Sequence, residues 1–182
     1  MTVIQSEFFQ QLDRVNARHE AGHMTIYKLF GGTWGAVWIL DPDKTSGGWA
    51  GNTNLGTGIF DLDLKKRLLV NLAGVGAELL DSRMPWPWAH HPPRGGEEHP
   101  LQPGSWTELL RTTGSGDWKA AKRHLDEIGG NRRAVMREAK TEVTRLLSEN
   151  WEWVTAVTDL LLKERYLYGK EVEACRPTPP RL

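Results

Sequence analysis

The sequence predicts a mainly α-helical domain with a small antiparallel β-sheet. Three observations carry that expectation. Several long stretches repeat apolar residues at helical spacing. One short segment between the first two of them is rich in Trp, Val and Ile and is followed by turn residues and a weaker partner strand. At 182 residues the chain suits one core, here placed over residues 1–175.

The first helix has Ser6 as a cap before Glu7. Phe8, Leu12, Val15, His19, His23, Ile26 and Phe30 then recur at helical spacing, and Gly31-Gly32 stops the run. Within it His19-Glu20-Ala21-Gly22-His23 spells H-E-x-x-H. Residues four apart lie about 40° apart around a helix, one turn up. Two imidazoles on one face can therefore reach one zinc ion, with Glu20 beside them to activate a zinc-bound water. The competing reading is a pair of packed core histidines. The inward phase of the motif within a well-formed helical pattern favours the metal.

Residues 33–40 read as a strand apolar on both faces. Asp41-Pro42-Asp43 through Gly47-Gly48 is turn chemistry, and residues 49–55 form a weaker strand broken by Gly51 and two Asn. Such a strand edge can hold an extended peptide by strand addition, although a plain covering sheet explains the segment as well.

Asp61 is the expected cap of the next helix, whose stripe is Leu64, Leu68, Leu72, Val75 and Leu79, widened by Leu69, Ala73 and Leu80. Gly74 and Gly76 each cost about 1 kcal/mol against Ala inside a helix. Close packing of the His19 helix against them explains their presence. Glu78 ends this small-residue patch. From the residues alone it is an ordinary solvated carboxylate, or one that orients a ligating histidine or binds metal itself.

Residues 83–113 are dense in Pro, Gly, Trp and His, including His90-His91 and His99. The composition predicts a long loop without regular structure. It reads equally as a flap beside a cleft and as a surface loop pinned by its aromatics, and one of its histidines is a further candidate metal ligand. Thr113-Gly114-Ser115-Gly116-Asp117 is a turn feeding a helix with Trp118, Ala121, Leu125 and Ile128 buried. Asp117 reads, on its own, as a carboxylate complementing that helix dipole. Gly129-Gly130 ends the helix. Asn131 starts another through Val135, Ala139, Val143, Leu146 and Leu147, and a last helix runs over residues 151–166. These two are expected to pack antiparallel and close the core. Residues 176–182, with Pro177, Pro179 and Pro180, read as a disordered tail.

Composition narrows the function. The 23 basic and 23 acidic residues balance, so no basic field points to nucleic acid or an anionic membrane. No apolar run approaches the roughly 20 residues of a membrane span, and residues 1–11 carry no secretion signal. One cysteine, Cys175, gives no internal disulfide and reads as an incidental exposed thiol in a reducing, cytoplasmic setting. No G-x-x-x-x-G-K-[ST] run suggests a nucleotide site. Most of the nine tryptophans are expected in the core.

Taken together, the motifs resemble the peptidase domain of the FtsH family of zinc metalloproteases. His19-Glu20-Ala21-Gly22-His23 is similar to that family's H-E-A-G-H. Leu72-Ala73-Gly74-Val75-Gly76-Ala77-Glu78-Leu79 resembles its L-x-G-x-x-A-E stretch. Thr113-Gly114-Ser115-Gly116-Asp117 resembles its T-G-A-S-N-D, one residue shorter here. The run from Leu147 to Glu171 resembles its closing helices. The resemblance implies a catalytic Zn2+ held by His19, His23 and Asp117, with Glu20 as general base and Glu78 orienting a ligand from behind. The family's ATPase module and membrane spans have no counterpart in this sequence. The expected function is therefore ATP-independent zinc metalloendopeptidase activity on flexible peptides, unfolded protein or one specific protein partner. The alternative is a non-catalytic, zinc-stabilised protein-interaction module, for which an intact Glu20 serves no purpose.

Overall fold

The computed structural model describes residues 3–40, 51–81 and 106–178. Its seven helices and three strands in those residues match the predicted class, mainly helical with a small antiparallel sheet.

Helix α1 (Val3–Leu29) is the longest element. It begins before Ser6, so Ser6 lies inside the helix and is not its cap. From Val15 to Lys28 every residue is buried. The backbone unwinds as predicted at the glycine pair: Gly31 takes φ 84°, and Gly32 N–H donates to Tyr27 O. Strand β1 (Ala36–Ile39) is shorter than the predicted segment, with Val37 and Ile39 inward. Strand β2 (Gly51–Asn54) pairs with it antiparallel, Val37 opposite Thr53. A third strand, β3 (Tyr166–Tyr168), flanks β1 on the other side, so the order is β2-β1-β3 and β2 is an edge among the described residues. The periodicity had extended the last helix through Tyr166. Instead it ends at Glu164, and Arg165 turns the chain into β3 with φ 64°, held there by an ion pair to Asp13 of α1. The predicted 41–48 turn lies outside the described residues.

A 3-10 turn (Gly56–Asp61) precedes α2 (Leu64–Leu80). The cap is Asp63, whose carboxylate accepts from Lys66 N–H at 2.9 Å; Asp61 belongs to the preceding turn. Residues 72–78 of α2 are all buried. It is the central helix, packed against α1 on one side and against α4 and α5 on others. The α1 contact is close because Gly22 faces it: a Cβ there would lie 2.6 Å from Ala73 O and 2.8 Å from Ala77 Cβ. Gly74 also faces α1, as expected. Gly76 does not; it receives Leu147 of α5 and Trp106.

Helix α3 (Trp106–Arg111) occupies the end of the segment expected to lack regular structure. The break-rich composition belongs to residues 83–105, which lie outside the described residues, while Trp106, Leu109 and Leu110 bring apolar spacing back. Helix α4 (Ser115–Ile128) follows, then α5 (Arg132–Glu149), capped by Asn131 Oδ1 on Ala134 N–H at 3.1 Å. Helix α6 (Trp151–Glu164) packs on α1 while α5 packs on α2, so the two close the core through the central pair and touch each other little. A short α7 (Gly169–Ala174) ends the fold.

Two side-chain expectations change. Cys175 is half-buried against the core rather than an exposed thiol. Trp153 alone among the described tryptophans is fully buried, donating Nε1–H to Val172 O at 2.7 Å; Trp106, Trp118 and Trp151 lean against the core half-covered, and Trp34 is 73% exposed. The tail begins with Arg176 stacked over the Trp153 ring at 4.7 Å, and residues 179–182 lie outside the described residues.

Candidate metal centre

The site is assembled from four elements. Helix α1 supplies His19 and His23 one turn apart, with rings crossed at 73° and centroids 4.7 Å apart. The first turn of α4 supplies Asp117. Three atoms converge: His19 Nε2 lies 3.0 Å from His23 Nε2, and Asp117 Oδ2 lies 3.0 Å from the first and 3.3 Å from the second. Tetrahedral zinc with bonds of about 2.0–2.1 Å sets its ligand atoms about 3.3 Å apart. The donor triangle is thus close to the size one zinc ion requires, and this trio meets the geometric conditions for a metal ion.

The opposite ring nitrogens explain the chemistry of the trio. His23 Nδ1–H donates to Val70 O of α2 at 2.7 Å, and His19 Nδ1–H donates to Glu78 Oε1. Both partners only accept, so each neutral ring carries its proton on Nδ1 and turns a lone pair from Nε2 inward. Those two lone pairs and a carboxylate oxygen face one another. One proton on a ring nitrogen can bridge a single pair of the three atoms; a divalent cation satisfies all three at once. The donor set therefore fits a metal, and His, His and carboxylate suit zinc.

Helix α2 supports the site from behind. Glu78 is buried and faces the Nδ1 side of His19, so it fixes the orientation of that ring and stands outside the donor triangle. Thr113 Oγ1–H lies 2.9 and 3.1 Å from its two oxygens and anchors it in turn. Gly74 leaves the space: a Cβ there would stand 2.5 Å from both His19 Nε2 and His23 Nε2. No side chain fits between this helix and the imidazoles.

Burial pushes both imidazoles down, but Asp117 and Glu78 outweigh it at His19, and Asp117 outweighs it at His23. His19 is held well above its ordinary value and His23 above its own. Burial raises Asp117, and His23 and His19 more than offset that, leaving it ionised far below the carboxylate range. The metal-free cluster thus holds protons where a cation would sit.

Glu20 stands on the other side of the histidines. Burial raises its carboxyl, against the opposing pull of His19 and His23. Thr53 of β2 donates Oγ1–H to Glu20 Oε2 at 2.7 Å, and Gly51 leaves room for the carboxylate, since a Cβ there would meet Glu20 Oε1 at 2.9 Å. A cleft of about 330 Å³ opens over these groups. It is bounded by β2 on one side and by Asn71, Thr112 and residues 115–117 on the others.

His19, Glu20 and His23 of α1 are brought together with Glu78 and Asp117, which lie far from them in sequence. The shorter turn before Asp117 still delivers its carboxylate. Candidate ligands in the His-rich segment fall at residues 90, 91 and 99, outside the described residues. Residue reasoning missed the Val70 carbonyl, Thr53, Asn71 and Thr113. Thr113 was within reach, as it opens the motif that ends in Asp117; a backbone carbonyl and a threonine on an edge strand give no pattern to find. In comparisons with known proteins, the chain matches no family model and no curated protein.

Proposed function

We propose that this chain is a zinc-dependent endopeptidase of FtsH-peptidase-like design that works without ATP. The convergence of His19 Nε2, His23 Nε2 and Asp117 Oδ2 beside a buried carboxylate in an open cleft carries the reading. Three protein ligands leave a fourth position, as catalytic zinc sites do and structural ones do not. A zinc ion held there supplies Lewis acidity, lowering the pKa of water and polarising a carbonyl.

The residues of the chain then have separable tasks. Glu20 accepts the proton of the attacking water and returns it to the leaving amine nitrogen. Its burial raises its carboxyl in the direction a base working near neutral pH needs. Thr53 fixes Glu20 Oε2, and Oε1 lies against Gly51, which lines the cleft with it. Glu78 and Val70 O lock the ring orientations. Strand β2 has a strand partner only on its β1 side among the described residues, and its edge borders the cleft. An extended peptide added to that edge runs past Glu20 with its scissile carbonyl near the donor triangle. The substrate is accordingly a flexible segment, of a peptide, an unfolded chain or one partner protein.

The test is Glu20→Gln. We expect unchanged fold and zinc content with peptide hydrolysis reduced at least about a hundredfold. Wild-type zinc protein that cleaves neither flexible peptides nor any protein captured by Glu20→Gln would remove the peptidase reading and leave a zinc-stabilised binding module.

A further inference from the structure

A second concavity, of about 600 Å³, opens between α4 and α5 on a different face of α4 from Asp117. Its floor is apolar: Trp118 and Leu125 from α4, Met136 from α5. Its rim is cationic, with Lys122 from one helix and Arg133, Arg137 and Lys140 from the other, and among the described residues no carboxylate lines it. Elsewhere on α5 the cations are neutralised. Arg145 reaches both Glu142 and Glu149, and Arg132, at the groove's end, reaches Asp126. Among the described residues Lys122, Arg133, Arg137 and Lys140 form no ion pair; Lys140 Nζ instead sits 5.4 Å from the Trp106 ring centroid. In a chain of zero net charge this is a local excess of one sign.

The chemistry selects the occupant. Like charges gathered around an apolar floor repel one another until anions are placed among them, and the floor gains only from apolar contact. Inorganic phosphate gains nothing from Trp118, Leu125 and Met136. A nucleic-acid backbone tracks exposed cations and stacks its bases on exposed rings, whereas Trp118 is the single ring of the lining among the described residues and is half-buried. A bilayer presents a flat surface to what is here a trough between two helices. An amphipathic helix with carboxylates flanking its apolar stripe matches both the shape and the charge.

We propose that the α4–α5 groove docks an acidic amphipathic helical segment of a partner protein. The proposal stands whether or not the metal cleft is a peptidase. Trp118 is the residue after Asp117, so a bound segment abuts the helix turn that carries the third ligand.

Intact zinc-loaded protein labelled with 13C-methyl methionine reports on the site directly, because Met136 lies in the groove and Met24 is fully buried in the core. The probe is a synthetic peptide with Leu at helical spacing and Glu at the flanking positions. Saturable binding should shift the Met136 methyl signal and leave that of Met24 in place. Arg133→Glu with Arg137→Glu, both exposed, should weaken binding at least about tenfold with circular dichroism and zinc content unchanged. Lys122→Glu, on the opposite helix, should weaken it as well and gives an independent reading should the double variant misfold. The proposal is overturned if no saturable binding occurs below about 1 mM. It is equally overturned if the charge-reversed proteins bind as wild type, if the peptide with Lys in place of Glu binds as well, or if phosphatidylserine vesicles or a single-stranded oligonucleotide take the groove in preference.

Discussion

Each histidine of the centre commits one ring nitrogen to an acceptor behind it, and this fixes where the other must point. That division gives a graded set of expectations. Asp117→Ala removes the proposed third ligand, so elemental analysis of the purified variant should show clear loss of zinc against near-stoichiometric wild type; zinc retained in full would move the third ligand elsewhere. Glu78→Gln keeps size and one acceptor but loses the charge that strengthens His19 as a ligand. Zinc affinity should fall about 10–100-fold. Thr113→Val, which leaves Glu78 without its hydroxyl donor, should fall in the same direction by less, and competition with a chromogenic chelator ranks all three. The protons held in the metal-free cluster set the pH dependence. His19 and His23 are raised above 6.5 in the folded protein, so the stability they contribute is present below that pH and fades as pH rises through their folded values. Asp117 is lowered below 3.8, so its contribution is present above that pH and fades only in strong acid. Metal-free protein should therefore be most stable in mildly acidic solution. Zinc must displace the same protons, so its apparent affinity should fall as pH is lowered from about 8 to 6. Melting curves of the two forms should consequently diverge as pH rises; parallel curves would mean that the cluster does not titrate.

At the scale of elements, the contact between α1 and α2 decides whether these side chains can meet. Gly22→Ala places a Cβ 2.6 Å from the Ala73 carbonyl oxygen, a backbone atom inside a helix that cannot step aside. Although alanine is the better helix former, we expect destabilisation of about 1–3 kcal/mol from the forced separation. Gly116→Ala, in α4 with nothing within 4 Å of the new Cβ, should instead be neutral or stabilising by up to about 1 kcal/mol. Opposite signs for the two in thermal melts test the packing argument, and two equal shifts would defeat it. The same contact shows what was legible in the chain. Helical periodicity located α1, α2, α4, α5 and α6, because each buries one stripe against a common core. Gly74 announced close packing, though not that the space serves two imidazole nitrogens. The ends of elements were read less well. Asp61 and Asp63 are equally good caps on paper, and the turn geometry that chose Asp63 lies in the preceding 3-10 segment. Strand β3 was missed because Tyr166, Leu167 and Tyr168 continue an apolar helix pattern; the break comes from Arg165 in a left-handed conformation, which an ion pair to Asp13 sustains from 152 residues away. Asp117 shows the same limit at the site. Its position in a first helical turn is explained by the dipole alone, and only a third dimension, or a resemblance, makes it a candidate ligand.

For the molecule as a whole, a bound ion would join parts of the chain that are otherwise held unequally. Helices α1, α2, α5 and α6 share the buried core, whereas α4 contributes only Ala121 and Leu125 as fully buried apolar side chains and has exposed groups along much of its length. With His19 and His23 on α1 and Asp117 on α4, a zinc ion bound there would be a staple between the most and the least deeply held of the long helices. Binding to the folded state alone stabilises it by about 2.7 kcal/mol at a hundredfold excess over Kd. The gain should not be uniform, because regions close to the core already open only with global unfolding. Amide exchange on zinc-loaded and chelated protein should then differ most in α4 and in the turn through Thr113. Buried amides of α1 from Val15 onward and of α2 should slow or quicken only by the global change. A uniform difference along the chain would mean that α4 is held by its own packing and that zinc stabilises the domain as one body. Protection lost chiefly in α1 would mean that the histidines need the ion to stay buried. In that case the glycine-lined contact at Gly22 and Gly74 is a consequence of metal binding and not its precondition.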